Sequence, residues 1–157
     1  MAIEVAVARA AEADVISRLN RHVQAVHAAA MPERFKAPGP ETFPAAEVLA
    51  LMAQDGMRVL LAKVDGAPAG YVLAEMVWRA ETSTTHAFAM VYVHHISVDP
   101  AFRRQGVGAA LIAAARAEGA RNGIVDLGLD VWSFNDAAQR FFTGQGLRPF
   151  NVRLWTR

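Results

Sequence analysis

Apolar and polar residues alternate along three early stretches of the chain in a way that is typical of β-strands. These stretches cover residues 3–8, 57–64 and 69–79, and they are rich in β-branched side chains. Asp65-Gly66 separates the second stretch from the third. Since this dipeptide favours a two-residue turn between apolar flanks, we predict an antiparallel hairpin at this point.

Helical spacing replaces the alternation after the first strand. Apolar residues three and four positions apart predict a helix that buries one face and ends by Pro32. Prolines and aromatic residues in 27–44 then predict an ordered, partly apolar loop, and a short helix follows over 44–54. The apolar positions of the first helix are Ile16, Leu19, Val23 and Val26, while Arg18, Asn20, Arg21 and Gln24 fall on its polar side.

A strand is joined to a helix by a glycine-bearing turn in the second half of the chain. Residues 91–98 are apolar and β-branched up to Asp99-Pro100, where proline ends strand pairing. Helical spacing resumes at Val107 in an alanine-rich background. The turn between them, residues 103–108, contains two arginines and two glycines. Because amides at a helix start lack intrahelical partners and glycine lets a ligand approach closely, the turn is suited to a pyrophosphate.

The turn differs from two common kinds of phosphate-binding loop. A Walker A loop is excluded, because it needs Gly-Lys-Ser/Thr where this chain has Gly108-Ala109-Ala110. A dinucleotide-binding turn stays open as the weaker alternative, since Leu111 replaces the third small residue although Asp126 lies near the distance of a ribose contact. The glycines could also serve only a tight connection.

The last part of the chain predicts one more strand and one more helix. Asn122-Gly123 stops the preceding helix, and residues 124–131 then read as a strand that a helical crossover should make parallel to its neighbour. Asn135 is a suitable N-cap for a final helix, which Gly144 and Gly146 close.

The composition limits the classes of protein to which the chain can belong. The chain has 157 residues, 54% of them hydrophobic, so we expect one domain over 1–157. A net charge of +1 argues against a nucleic-acid partner, and the absence of cysteine excludes thiolate catalysis and cysteine zinc sites. No apolar run is long enough to span a membrane, so the sequence predicts a soluble, cytoplasmic protein without a membrane partner.

The segment HHISVDPAFRRQGVGAALI resembles the acetyl-CoA-binding motif of the GNAT superfamily of N-acetyltransferases. The motif is an apolar strand, Val-x-Pro, and Arg/Gln-x-x-Gly-x-Gly/Ala at a helix start. By motif the resemblance covers Tyr92 to Leu147, and by order of elements it covers nearly the whole chain. It implies an α/β fold of the α+β type, in which about four helices flank a mixed, mostly antiparallel sheet with a splayed parallel strand pair. Phe150, Val152, Leu154 and Trp155 would form the family's final strand.

The resemblance also implies which residues bind acetyl-CoA. Backbone groups of the strand would pair with the pantetheine arm, and amides of the turn would hold the pyrophosphate. The family's Asn-x-x-Ala-x-x-x-Tyr pattern falls on the last helix, where phenylalanine replaces the tyrosine that commonly protonates the leaving thiolate. The residues concerned are Ile96, Ser97 and Val98 in the strand, Arg103, Arg104, Gln105, Gly106, Val107, Gly108 and Ala109 in the turn, and Asn135, Ala138 and Phe142 in the helix. No metal is implied.

The candidate base lies on the strand before the turn, where relatives carry a carboxylate and this chain has His94-His95. Histidine is a suitable base near neutral pH, but alternation lets only one of the two face the cleft unless a bulge intervenes. Both could instead be structural. Glu75 and Tyr92 are secondary candidates for the base. We reject a metal site formed by His94, His95 and His86, because the alternation of side chains along a strand does not bring these ligands together.

The leading hypothesis is transfer of acetyl from acetyl-CoA to a primary amine by direct attack. A catalytically silent acyl-CoA-binding or sensor domain and a nicotinamide-binding domain are the alternatives. The acceptor could be an aminoglycoside, a polyamine, an amino acid, a xenobiotic amine or a peptide N-terminus, and a homodimer is compatible with the chain. Phe35 and Phe43 would face the substrate by resemblance, although anchoring of their loop to the core is the simpler interpretation.

Overall fold

The computed structural model describes residues 1–156 and confirms the fold class. The strands are β1 (Ile3–Val7), β2 (Met57–Val64), β3 (Ala67–Arg79), β4 (Phe88–Val98) and β5 (Leu127–Leu129), and the helices are α1 (Ala13–Ala30), α2 (Ala45–Met52), α3 (Val107–Arg121) and α4 (Asp136–Gly144). The five strands form one sheet in chain order. β1 to β4 are antiparallel, and β4 pairs with β5 in parallel.

The predicted hairpin joins β2 and β3. Asp65 and Gly66 both have positive φ, at 47° and 84°. Two successive positive φ values are typical of a type I′ turn, whose twist matches that of the flanking strands. β3 begins at Ala67, two residues before its predicted start.

The sheet buries a different cluster on each face. On one face, called the α3 face, apolar residues of β2, β3 and β4 pack against Val107, Leu111 and Ala115. On the other, called the α1/α2 face, Ile16, Leu19 and the Val48 side chain cover a second cluster from β2 and β3. The strands of the α3 face contribute Leu60, Ala62, Val64, Ala69, Val72, Ala74, Met76, Val91 and Val93, and those of the α1/α2 face contribute Met57, Val59, Leu61, Tyr71 and Leu73.

A bulge interrupts the pairing of β3 with β4. Leu73 faces His95 and the next residue, Ala74, faces Val93, so His94 has no partner in the ladder. Partners directly opposite each other in an antiparallel pair share a face. His95 therefore lies on the α1/α2 face with Leu73, and the unpaired residue lets His94 reach the same side.

At the end of the chain, one predicted strand is present but shorter than expected, and another is absent. The strand predicted over 124–131 is reduced to Leu127–Leu129, because Ile124 is buried and donates its backbone N–H to Gly119 at the end of α3 (2.8 Å). The final strand predicted from Phe150 to Trp155 is not formed. β5 is only three residues long, so its outer edge offers few backbone groups for another strand.

Within residues 1–156, no helix combines the length and the hydropathy that a membrane span requires.

Candidate functional site

Two pockets meet at the histidines of β4. The first, called the splay cleft, opens where β4 and β5 separate, because their pairing is confined to residues 91–93 and 127–129 while β4 continues to Val98. The second, called the acidic pocket, lies between α2 and the α1/α2 face and contains Glu47 and Glu75. His94 and His95 line both. A group held in one pocket is therefore within reach of a group held in the other.

The free edge of β4 contributes backbone groups to the splay cleft. Asp99 donates its backbone N–H to Ala69 in β3 (2.9 Å), so alternation turns the amides of Ile96 and Val98 towards the opposite edge. Of the three residues predicted here, Ser97 has a structural side chain. Its buried hydroxyl donates to the carbonyl of Leu19 in α1 (2.6 Å). Ile96 also lines the cleft.

The predicted pyrophosphate turn leads into α3. Gly106 precedes the helix with φ 89°, and no side chain caps the first turn. The amides of Val107, Gly108 and Ala109 therefore lack intrahelical acceptors, and no acidic residue lies in that turn. The predicted side chains before them, Arg103, Arg104 and Gln105, are exposed. Free amides, the helix dipole and two guanidinium groups form a site suited to a phosphate.

Gly108 has a packing role that the sequence did not reveal. A Cβ added at this position would lie 2.9 Å from Cζ of Phe141 in α4. This is closer than carbon atoms can approach without a shift. The glycine therefore permits close contact between α3 and α4, in addition to any contact that its amide makes with an anion.

The last helix brings its predicted residues to the splay cleft. Asn135, Ala138 and Phe142 all line it, and Asn135 Oδ1 accepts the backbone N–H of Ala138 (3.1 Å) as an N-cap. Phe142 is buried. The position that would carry a phenol in the family pattern thus presents a hydrocarbon ring.

His94 forms a short hydrogen bond with Glu75 at the junction of the pockets. His94 Nε2 lies 2.7 Å from Glu75 Oε2, and the two side chains are 34% and 38% exposed. Since a carboxylate only accepts, His94 donates through Nε2–H, which leaves the lone pair of Nδ1 available when the ring is neutral. Histidine and carboxylate at this spacing can abstract a proton.

Tyr92 is not suited to act as the base. Its hydroxyl donates to Asp130 Oδ2 across the β4–β5 pair (2.7 Å). Burial, with a further contribution from the hydrogen bond and charge of Asp130, raises the pKa of Tyr92 to about 12. The phenol is therefore neutral at neutral pH, and its ring packs edge-on against His94 with centroids 4.8 Å apart.

His95 has different surroundings from its neighbour. Its Nδ1 lies 3.2 Å from the hydroxyl of Tyr71, which in turn accepts from Asn20 Nδ2 (2.8 Å). Burial, followed by the charges of His94 and His27, lowers the pKa of His95 to about 4. Burial also raises the pKa of Tyr71. His95 is thus a neutral imidazole at neutral pH.

Two residues of this network were not predicted as part of the site. Asn20 was placed on the polar side of the first helix, but it is only 3% exposed. It lies next to Leu19, about 100° around the helix, so the spacing left it at the border of the buried face. Tyr71 was one aromatic residue within a β-rich run, and nothing local distinguished it from a core side chain.

The loop after α1 covers the outer part of the splay cleft. Phe35 lies between His27 and Trp132, with ring centroids 5.0 and 5.1 Å away. The guanidinium of Arg34 stacks over Trp132 (5.1 Å) and over Trp155 (5.2 Å). Phe35 thus lines the splay cleft and anchors the loop at the same time.

Phe43 likewise lines a pocket and packs against the core. It lines the acidic pocket, and its ring stacks on Tyr71 and meets His95 edge-on, with centroids 6.3 and 5.0 Å apart. Ser17 donates its hydroxyl to the carbonyl of Phe43 (2.9 Å).

Metal ligands do not converge in the part of the chain that the structure describes. No group of three histidine, cysteine, aspartate or glutamate side chains there could hold an ion. His86 is fully exposed and lines neither pocket.

A family model described as the acetyltransferase (GNAT) family matches residues 5–147. No curated protein sequence matches the chain.

Solved structures share the fold over the full length. A mutant of the BH1408 protein from Bacillus halodurans matches with a TM-score of 0.90 at 22% identity, over 100% of this chain and 99% of that chain. The aminoglycoside acetyltransferase AAC(6')-Iy, bound to the bisubstrate analogue CoA-S-monomethyl-acetylneamine, matches at 0.72 and 18%, over 100% and 98%. A transcriptional regulator from Bacillus halodurans C-125 matches at 0.77 and 14%, over 99% of each chain. At these identities the likeness shows the fold.

Proposed function

The chain belongs to the GNAT acetyltransferase family, and we propose that it transfers the acetyl group of acetyl-CoA to the nitrogen of a primary amine. The observation that carries this proposal is the His94–Glu75 pair, 2.7 Å apart, at the point where the two pockets meet. A base at that point can serve an amine in the acidic pocket and a thioester in the splay cleft.

The residues predicted for acetyl-CoA fit the two ends of such a ligand. The free amides before and within the first turn of α3 would hold the pyrophosphate, with Arg103 and Arg104 adding positive charge. The open edge at Ile96 and Val98 would pair with the amides of the pantetheine arm. Asn135, Ala138 and Phe142 would line the wall beside the thioester.

Catalysis needs a base because an ammonium with a pKa near 10.4 has no lone pair for attack. His94 Nδ1 would take the proton, while Glu75 holds the ring and stabilises the imidazolium that forms. The neutral amine nitrogen then attacks the thioester carbon, a C–N bond forms, the C–S bond breaks, and the nitrogen gives up its second proton to solvent. The sulfur leaves as a thiolate, which Phe142 cannot protonate; a thiolate with an ordinary thiol pKa near 8.5 is a workable leaving group.

The charge of the pockets supports an amine acceptor. Glu47 and Glu75 line the acidic pocket, Asp130 lines the splay cleft, and neither wall contains a lysine or arginine among the described residues. Acidic walls raise the local concentration of a cation. The acceptor is thus a small molecule or peptide end that enters as an ammonium ion.

Acetyl-CoA turnover with a panel of primary amines, followed as released thiol, tests this proposal. We expect His94→Gln and His94→Ala each to lower kcat by about 10²–10⁴-fold. His86→Gln is the matched control, because His86 is fully exposed outside both pockets. Tight binding of acetyl-CoA without release of thiol above hydrolysis for any amine would instead identify a silent acyl-CoA-binding domain, which the missing phenol at Phe142 also allows.

A further inference from the structure

The two histidines of β4 are neighbours in sequence, but their hydrogen bonds differ in kind. His94 donates to a carboxylate at the protein surface, whereas His95 lies against a buried phenol. The bulge brings both to one face without giving them equivalent surroundings. Their protons can therefore be assigned separately.

The proton on Tyr71 has one acceptor within reach. Tyr71 is fully buried, and its oxygen accepts a hydrogen bond from the Asn20 amide. The only other side chain that meets this hydroxyl among the described residues is His95, through Nδ1. A buried O–H without an acceptor would lose about 1–3 kcal/mol, so the phenol donates to Nδ1. The ring proton of His95 then resides on Nε2.

The Nε2 atom of His95 is open to ligands. No hydrogen bond to Nε2 is formed by any described residue, and no buried side-chain nitrogen or oxygen in that part of the chain lacks a partner. Nε2 is therefore solvent-accessible, and His95 lines both pockets. His95 thus has an exposed N–H group on a side chain that lines both pockets.

The groups around the ring keep it neutral. His94 lies beside it on β4, His27 faces it from α1 and Phe43 from the loop before α2, while Tyr71 and Glu75 belong to β3. Burial is the largest influence and lowers the pKa of His95 to about 4. With Nδ1 occupied by Tyr71 and a proton on Nε2, the ring has no free lone pair and cannot act as a base.

We propose that His95 donates a hydrogen bond from Nε2–H to the acetyl carbonyl oxygen, and that Tyr71 and Asn20 are positioning residues that hold the imidazole in the required tautomer. This inference rests on the proposed function. As the amine attacks, the carbonyl oxygen gains negative charge, and a donor fixed beforehand stabilises that charge more than it stabilises the ground state. His94 and His95 thus divide the chemistry between a base and a donor.

Nuclear magnetic resonance of protein labelled with ¹⁵N in its histidines tests the tautomer without any turnover. We expect Nδ1 of His95 to be unprotonated and Nε2 to carry hydrogen from about pH 6 to 8, with signals assigned by their loss in His95→Gln. A ketone analogue of acetyl-CoA should shift the Nε2–H signal, and free CoA should not. An Nδ1–H tautomer, an imidazolium, or equal shifts with both ligands would overturn the proposal.

Kinetics separate a donor from a base. The amide N–H of glutamine can replace Nε2–H but cannot take a proton, so His95→Gln should stay within about tenfold of wild-type kcat while His95→Ala falls by about 10²-fold. The KM for acetyl-CoA should change by less than about threefold in both. Equal losses in the two variants would overturn the donor role.

Tyr71→Phe tests whether Tyr71 is a positioning residue for His95. Loss of the phenol should give His95 a mixture of tautomers in the ¹⁵N spectrum and lower kcat by about tenfold, with the KM for acetyl-CoA unchanged. An unchanged spectrum would contradict the assigned role of Tyr71. If no amine is acetylated but the ketone analogue still shifts Nε2–H, the proposed function fails while the donor assignment stands.

Discussion

The two faces of the sheet differ in the polar groups that they bury. On the α3 face the buried cluster is apolar, and the buried polar side chain beside it, Glu118 of α3, pairs with Arg58 of β2 (3.3 Å). On the α1/α2 face, Asn20, Tyr71 and Ser97 are buried with their polar atoms, and each is hydrogen-bonded. Because a satisfied buried hydrogen bond costs little while an unsatisfied one is expensive, the second face tolerates this polarity.

This difference assigns separate tasks to the two faces. The α3 face is a mainly apolar core that holds the helix whose first turn carries the candidate anion site. The α1/α2 face contains the network that ends at His95, and the Glu75–His94 pair lies beside it. We therefore expect changes on the first face to act on stability and changes on the second to act on protonation and rate.

The largest effect is expected from Leu111→Ala on the α3 face. Leu111 is fully buried in the apolar cluster, so its truncation should lower the free energy of unfolding by about 2–5 kcal/mol. Urea unfolding measures this loss. The kcat per folded molecule should stay at its wild-type value. A large fall in kcat under conditions where all molecules are folded would contradict the separate roles of the two faces.

A pH-dependent effect is expected on the α1/α2 face. The pKa of His95 is about 4 in the folded protein, below its ordinary value of 6.5. Between these values the unfolded chain binds a proton that the folded protein excludes, so stability falls as pH drops from 6.5 to 4. The full difference is about 3 kcal/mol. His95→Gln should abolish most of this loss in urea unfolding measured across the window.

Two other groups define the controls for this measurement. Burial lowers the pKa of His27 in the same direction, so a smaller slope should remain in His95→Gln. Hydrogen bonds from Arg9 and Lys63 lower the pKa of Glu12 to about 2, and the stability linked to that carboxylate is lost at lower pH. Leu111→Ala should displace the whole curve downwards by a constant amount. A curve for His95→Gln parallel to the wild type would refute the effect.

A smaller loss of stability is expected from a substitution at the contact between α3 and α4. Gly108→Val places branched carbon against the Phe141 ring, so we expect the free energy of unfolding to fall by about 1–3 kcal/mol. Combining it with Phe141→Ala should restore part of that stability in urea unfolding. Calorimetry with acetyl-CoA then shows whether the ligand also approaches the backbone closely at Gly108, because the added side chain should keep the affinity reduced in the double variant. Independent, additive losses would argue against the Gly108–Phe141 contact.

The smallest effect is expected from Phe142→Tyr. The added hydroxyl would lie in the splay cleft beside Asn135 and Ala138, where it could protonate the leaving thiolate. We expect kcat to rise by less than about threefold, since the thiolate already leaves without help. Steady-state rates with saturating acetyl-CoA measure this change. A fall in kcat together with weaker acetyl-CoA binding would show that the ring position serves packing alone.

Features set by local sequence were predicted well. The Asp65-Gly66 turn, the strand ending before Asp99-Pro100 and the N-cap at Asn135 depend on residues close together in the chain, and all three are found. The order of strands and helices then followed from their spacing. The family pattern on the strand–turn–helix segment completed the fold class.

Features set by distant partners were left open or missed. Whether His94 and His95 share a face depends on the register of β4 against β3, which neither strand encodes alone. The contact of Gly108 with Phe141 joins residues of two helices, and the burial of Asn20 depends on Tyr71, 51 positions later. The final strand that the family resemblance implied over Phe150–Trp155 is also absent, because a resemblance in the order of elements does not supply a sheet edge for the segment to pair with.

Because of the bulge in β4, the proposed base His94 has no pairing partner in β3. His94 is the residue that β4 has in excess, because Val93 and His95 already face consecutive residues of β3, Ala74 and Leu73. Deleting one codon at position 94 would leave a continuous ladder with the same pairs on either side. Gain or loss of this base in evolution therefore requires only a single-residue insertion or deletion, and neither event would shift a side chain of either core to the opposite face.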